Sequence, residues 1–138
     1  MRRKIIFDLD RTLWKCTVEY HPRLRLPVVY NETKNVLLHL QNLGYSLNIA
    51  SRSAEPDKCN EFLDNLFPQI VFAKRAIYPS PVGKLNHILD LGCQDGNFIM
   101  FDDEAHILEK VKKVYPLSTR VICTHPILWS SLQGVIVH

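Results

Sequence analysis

The chain is predicted to be an α/β protein built on a doubly wound, mostly parallel sheet, and three observations predict it. Apolar runs too short for helices alternate with segments of helical periodicity. The lengths of those segments suit strand-helix-strand units, whose helices cover both faces of a parallel sheet. The most strongly patterned runs also end on polar residues, Asp8 and Asp10, then Ser51, then Asp102 and Asp103. In such sheets ligands bind outside the carboxyl ends of the strands. With 138 residues, the chain fits a single domain spanning 1–138.

Each element has a local reason. Residues 5–9 (IIFDL) are too few for a helix and rich in β-favouring side chains, so they read as a buried strand. Residues 13–30, with Trp14 and prolines at 22 and 27, read as a loop or small β-flap. Val36, Leu37, Leu40 and Leu43 share one helical face, and Gly44 stops that helix. Residues 45–50 (YSLNIA) form a second strand that ends at Ser51-Arg52-Ser53. The next helix starts at Pro56, where a first turn tolerates proline, and runs to about Leu66 with Phe62, Leu63 and Leu66 inward. Residues 70–72 form a short third strand, and 76–79 an extended link.

A short helix over 83–91 then stops at Gly92, and residues 98–101 (FIMF) make a fourth strand that ends on Asp102-Asp103-Glu104. The helix over 104–115 is expected to bury Ile107, Leu108, Val111 and Val114. Residues 120–123 form a fifth strand, and the tail from 126 has no clear pattern.

Composition narrows the function classes. Hydrophobic content of 46% and charged content of 22% are those of a globular protein. No run is long and apolar enough to span a bilayer, and the apolar stretch behind the basic start ends too soon, at Asp8, for a secretory signal. A net charge of +3 is too mild to argue for nucleic acid. Cys16, Cys59, Cys93 and Cys123 form no close pair, so they read as reduced thiols in a cytoplasmic protein rather than zinc ligands.

The chemistry lies in the acids. Asp8 and Asp10, at spacing two, would converge where the first strand ends if the chain stays extended. Carboxylates gathered there repel one another unless a cation or a proton offsets them. Oxygen ligands from neighbouring strand ends suit Mg²⁺. Ser51 could donate to a phosphate oxygen, and Lys84, at a helix start, could bring a positive charge to it. Arg11 and Arg52 flank the acids, where they either steer an anionic substrate or are simply exposed; Arg52 is grouped with Ser51 and Lys84 as substrate-binding.

Other candidates have plainer readings. Lys74 and Arg75 fit a solvated strand edge, His87 a helix face, and Trp14 either the pocket wall or the core; His106 and His125 have no nameable partner.

The order D-x-D-x-T (8–12), strand-end Ser51, Lys84 and D-D (102–103) resembles the haloacid dehalogenase superfamily over most of the chain. FDLDRTLW (7–14), IASRS (49–53), IYP with K-x-x-H (84–87) and FDDE (101–104) look like its magnesium-dependent phosphatases. The resemblance implies a capless phosphatase domain in which Asp8 is the nucleophile and Asp10 the general acid and base. It implies Mg²⁺ held by the Asp8 carboxylate, the Asp10 main-chain carbonyl and either Asp102 or Asp103, with Ser51 and Lys84 on the phosphoryl group. Thr12 then braces the loop.

The implied substrate is a phosphorylated protein, phosphotyrosine-like, or a small sugar phosphate. Alternatives are a serine phosphatase like those acting on the RNA polymerase tail, which share D-L-D-x-T-L, and a non-catalytic phosphate-binding protein. A signalling receiver fits poorly, because it needs an acceptor aspartate where Ser51 stands.

Overall fold

Lys4-Ile5-Ile6-Phe7 forms β1 (Lys4–Phe7), the central strand of a five-stranded sheet in the order β3-β2-β1-β4-β5. The computed structural model describes residues 2–15, 17–18 and 26–136. Much of the predicted flap, Cys16 and the last two residues of the tail lie outside these. The other elements in chain order are α1 (Asn31–Asn42), β2 (Ser46–Ser51), α2 (Pro56–Leu66), β3 (Phe72–Ile77), α3 (Leu85–Asp90), β4 (Phe98–Asp102), α4 (Ala105–Val114) and β5 (Thr119–Ile122). All four strand pairings are parallel.

A central parallel strand is covered on both sides, which is why β1 is apolar without alternation. Ile5 and Phe7 face one core with Val36, Leu37 and Leu40 of α1 and Phe62 and Leu63 of α2. Ile6 faces the other, with Ile88 of α3 and Ile107, Leu108 and Val111 of α4. The tail, patternless in sequence, has a short 3-10 turn (Trp129–Leu132) and sends Ile127, Leu132 and Ile136 into the first core. No helix among the described residues is long and apolar enough to cross a membrane.

Several predicted boundaries shift. β1 ends at Phe7, and Leu9 is a buried loop residue. The predicted third strand and the extended link are largely one strand, because the parallel register with β2 runs from Phe72 to Ile77. Arg75 on that edge strand bonds Asp64 and Asn60 of α2. The helix predicted over 83–91 is shorter, since Gly83 has φ +77° and α3 begins at Leu85. Val114, expected to be inward, is half exposed, for the core face of α4 ends at Val111.

Candidate active site

The parallel register sets Phe7 of β1 against Phe101 of β4, so Asp8 and Asp102 emerge side by side at the carboxyl edge. The Asp8 amide extends the ladder by donating to the Phe101 carbonyl at 3.0 Å. β2 flanks β1 on its other side and delivers Ser51 to the same edge. A cleft of about 830 Å³ opens there, lined by Asp8, Asp10, Ser51, Arg52, Lys84 and Asp103 among others.

Lys84 caps the start of α3, and its ammonium lies deep between the two central strands. Its Nζ donates to Asp8 Oδ1 at 2.7 Å and to Asp102 Oδ2 at 2.6 Å, with the lysine side chain only 3% exposed. Burial alone would lower the lysine pKa, but the charges of Asp8 and Asp102 outweigh it and raise the value. Asp102 Oδ1 accepts the Glu104 amide at 3.0 Å, so both oxygens of that carboxylate have donors.

Asp103 sits at the cleft surface beside Asp8, and ligand oxygens of Asp8, Asp102 and Asp103 all lie within 4.8 Å of one another. Three acids around one lysine leave a surplus of negative charge. Burial, followed by the charge of Asp8, pushes Asp102 up to about 6 despite Lys84. Burial, followed by a hydrogen bond to Asp8, pushes Asp103 up to about 8. Hard oxygen donors with unbalanced charge, held at one strand edge, fit a divalent cation such as Mg²⁺.

Asp10 joins the cleft by a different route from the one expected. The chain leaves β1 and turns at once, with the Thr12 and Leu13 amides donating to the Leu9 carbonyl at 3.1 and 2.9 Å. Asp10 stands within this turn and lines the same cleft as Asp8. Each acid is gripped by the residue four positions on. The Thr12 hydroxyl donates to Asp8 Oδ2 at 3.3 Å, and Trp14 Nε1–H donates to Asp10 Oδ1 at 2.8 Å. The Val18 amide adds a second donor to Asp10 Oδ1 at 3.2 Å. Trp14 is fully buried and meets Phe62 edge to face, so it is both core and site.

Ser51 presents its hydroxyl to the cleft, where it accepts the Ser53 amide at 3.2 Å. Its carbonyl accepts the Tyr78 amide at 3.0 Å and His87 Nε2 at 2.9 Å. His87, expected on a helix face, is fully buried, stacks on Tyr78, and its Nε2 also reaches the Tyr78 carbonyl at 2.9 Å. Two carbonyl partners require Nε2 to carry the proton, and Nδ1 is buried with no hydrogen-bond partner. Desolvation lowers the His87 pKa. Its place three residues after Lys84 is the one trace of this ring in the sequence.

At the rim, Arg52 pairs with Glu104 at 2.9 Å, and His106 Nε2 approaches the same carboxylate at 3.1 Å. His106 thus has the partner the sequence could not name, and His125 Nδ1 meets the Pro126 carbonyl at 2.8 Å. Cys59, Cys93 and Cys123 are buried, and Cys93 and Cys123 are free thiols. Burial first, and the nearby acids next, push Cys123 up to about 12, which keeps it protonated and unreactive.

No family model matches the chain. It is 31% identical, over 139 residues, to human magnesium-dependent phosphatase 1, covering 87% of this chain and 75% of that protein. Among solved structures, the N-terminal part of the Bacteroides fragilis protein BF1531, containing a phosphatase domain complexed with Mg, aligns with TM-score 0.59 and 16% identity. That alignment covers 87% of this chain but only 35% of that one. The HAD domain of the Legionella pneumophila effector Lem4 aligns with TM-score 0.58 and 16% identity over 88% of this chain and 85% of that one. These two likenesses concern the fold, whereas the human relative shares sequence over most of both chains. The chain belongs to the magnesium-dependent phosphatases, and it has the fold of a HAD domain.

Proposed function

We propose that the protein hydrolyses phosphomonoesters with Mg²⁺ as cofactor, through a phosphorylated Asp8. The observation that carries this reading is the pairing of Asp8 with buried Lys84, beside a surplus of acids at the edge of a cleft. Asp8, Asp103 and the Asp10 main-chain carbonyl would hold the cation. Asp102, engaged by Lys84 and the Glu104 amide, would orient the lysine. When bound, Mg²⁺ screens the repulsion between carboxylate and phosphate and offsets charge on the transferring group.

The steps on the chain's own residues balance. An Asp8 oxygen forms a bond to phosphorus as the ester P–O bond breaks, and Asp10 gives its proton to the departing oxygen. Asp10 then takes a proton from water, whose oxygen attacks phosphorus. The acyl phosphate bond breaks, phosphate leaves and Asp8 is restored. Splitting the hydrolysis this way replaces one difficult displacement with two easier ones. Trp14 and the Val18 amide fix the Asp10 carboxyl for both proton transfers. Lys84 and Ser51 would face the phosphoryl oxygens, with Arg52 at the rim.

The 51–84 segment is occupied by α2, β3 and their connections, which build the sheet and form no cap. An open cleft suits a phosphate on a small carrier or on an exposed protein side chain.

The test is hydrolysis of p-nitrophenyl phosphate with Mg²⁺, with EDTA, and by Asp8→Asn. Turnover that needs the metal and vanishes in a folded Asp8→Asn protein is the expected result. Full activity in EDTA or in the variant contradicts the proposal.

A further inference from the structure

We infer that Arg11 is a specificity-determining residue that receives a second anionic group of the substrate. The preferred substrates are then small phosphomonoesters that also carry a carboxylate or a second phosphoryl group. This rests on the phosphatase reading of the cleft and adds a substrate class to it.

Three cationic side chains line the cleft, Lys84, Arg52 and Arg11. Lys84 is bonded to Asp8 and Asp102, and Arg52 to Glu104. Arg11 has no ion pair or side-chain hydrogen bond among the described residues, so its guanidinium is the cation left available to a ligand.

The backbone makes the choice of arginine informative. Arg11 has φ +63°, the only positive φ at a non-glycine position among the described residues. That region favours glycine, and a larger residue there is strained. Packing supplies no reason to accept the strain, since Arg11 is exposed. Strained positions that nothing in the core requires are concentrated where ligands are held.

The chemistry of the group sets the ligand. A guanidinium offers a planar fork of N–H donors that matches carboxylate and phosphate oxygens. The scissile phosphoryl group would be met on the cleft floor by Lys84 and Ser51, which leaves Arg11 for a different part of the same molecule. A cleft of about 830 Å³ has room for one, since pockets of roughly 300–1,000 Å³ enclose whole small molecules. Asp10 and Glu104 share this lining, so a second negative charge would be repelled unless a cation met it.

The test compares kcat/KM within two substrate pairs. Glycerol 3-phosphate against 3-phosphoglycerate reads a carboxylate, and fructose 6-phosphate against fructose 1,6-bisphosphate reads a second phosphoryl group. The wild type should favour the more anionic member of at least one pair by about tenfold or more, as a charge-assisted hydrogen bond implies. The pair that shows it identifies the group.

Arg11→Gly suits the backbone angle and should fold with an undiminished melting temperature. It should bring the ratio to about one, chiefly through KM, whereas Arg11→Lys should keep part of the preference. No preference in either pair, or a ratio that survives Arg11→Gly, overturns the inference. p-Nitrophenyl phosphate separates the two failures. If it is hydrolysed and no preference is seen, only the role of Arg11 falls; if it is not hydrolysed with Mg²⁺, the phosphatase reading falls and this inference with it.

Discussion

Replacing Lys84 with methionine keeps the approximate volume of the side chain and removes the positive charge that bonds both central acids. The ammonium is 2.7 Å from Asp8 Oδ1 and 2.6 Å from Asp102 Oδ2, with Asp102 1% exposed. Breaking a buried pair by deleting one partner costs about 3–5 kcal/mol, because the remaining charge is left without compensation. For a chain of this size that corresponds to a fall in melting temperature of roughly 10–20 °C.

The deficit should depend on pH in a defined direction. Asp8 and Asp102 raise the Lys84 pKa despite its burial, so its contribution is complete below the ordinary lysine range and is lost only as the pH rises through the higher folded value. At pH 7 the full cost is therefore felt. Lys84 holds the Asp102 pKa down to about 6, so in its absence that carboxyl takes up its proton at a higher pH, which removes one of the stranded charges. The Lys84→Met deficit should then shrink markedly at pH 5. Urea and thermal unfolding in metal-free buffer at both pH values measure it. A variant within about 1 kcal/mol of wild type at pH 7 would refute the reasoning, as would a deficit that does not change at pH 5.

The other expectations concern the metal, the acid-base residue and the histidine. Mg²⁺ affinity should strengthen as the pH rises through about 8 and level off only above it, because Asp103 must lose a proton held with a pKa of about 8. Calorimetry in buffers of different ionisation heat should show proton release near pH 7, and affinity independent of pH contradicts this. Trp14→Phe keeps the ring but removes the 2.8 Å donor to Asp10, so kcat should fall by about tenfold or more with stability reduced by about 1–3 kcal/mol. Unchanged kcat would separate Trp14 from the chemistry. His87→Leu should cost about 1–3 kcal/mol by stripping a donor from the Ser51 and Tyr78 carbonyls, and His87→Gln should recover part of it. Nitrogen chemical shifts of His87 should report a mainly neutral ring with Nε2 protonated at pH 7.5, because burial depresses its pKa; a dominant imidazolium signal there argues against the assigned contacts.

The fold was legible wherever local pattern and tertiary demand agree. The runs IIF, LNIA and FIMF are buried on both faces, and apolar except at Asn48, because they lie in the middle of a covered parallel sheet, and each ends on the polar residue that defines the site. β3 was harder to read. It is an edge strand, and its Lys74-Arg75 centre interrupts the apolar pattern while the backbone still pairs with β2. The tail was illegible because Ile127, Leu132 and Ile136 reach the core from a nearly irregular backbone with no period to detect.

At the site, residue types and strand ends point to Asp8, Ser51, Lys84 and Asp102-Asp103, and Asp10 reaches the same cleft from a turn. Alternation assumes extended backbone, whereas here a tight turn brings Asp10 into the cleft. The usable signal was the repeated spacing of four, Asp8 to Thr12 and Asp10 to Trp14, each ending on a hydrogen-bond donor. The burial of His87 and the left-handed backbone at Arg11 leave no trace in the sequence, since both are set by how neighbouring segments pack.

The pairing of β1 with β4 has a consequence for how the protein is made. Asp8 follows β1 and Asp102 ends β4, which is made later, yet the two strands are neighbours in the sheet. A growing chain cannot assemble this centre until β4 has left the ribosome, and α3 with Lys84 emerges just before it. The lysine is thus on hand when the acids first meet, which shortens the time they spend together without a counter-charge. If Asp8 and Asp103 hold Mg²⁺ as proposed, its uptake would serve as a natural probe of the joining of β1 and β4 in refolding.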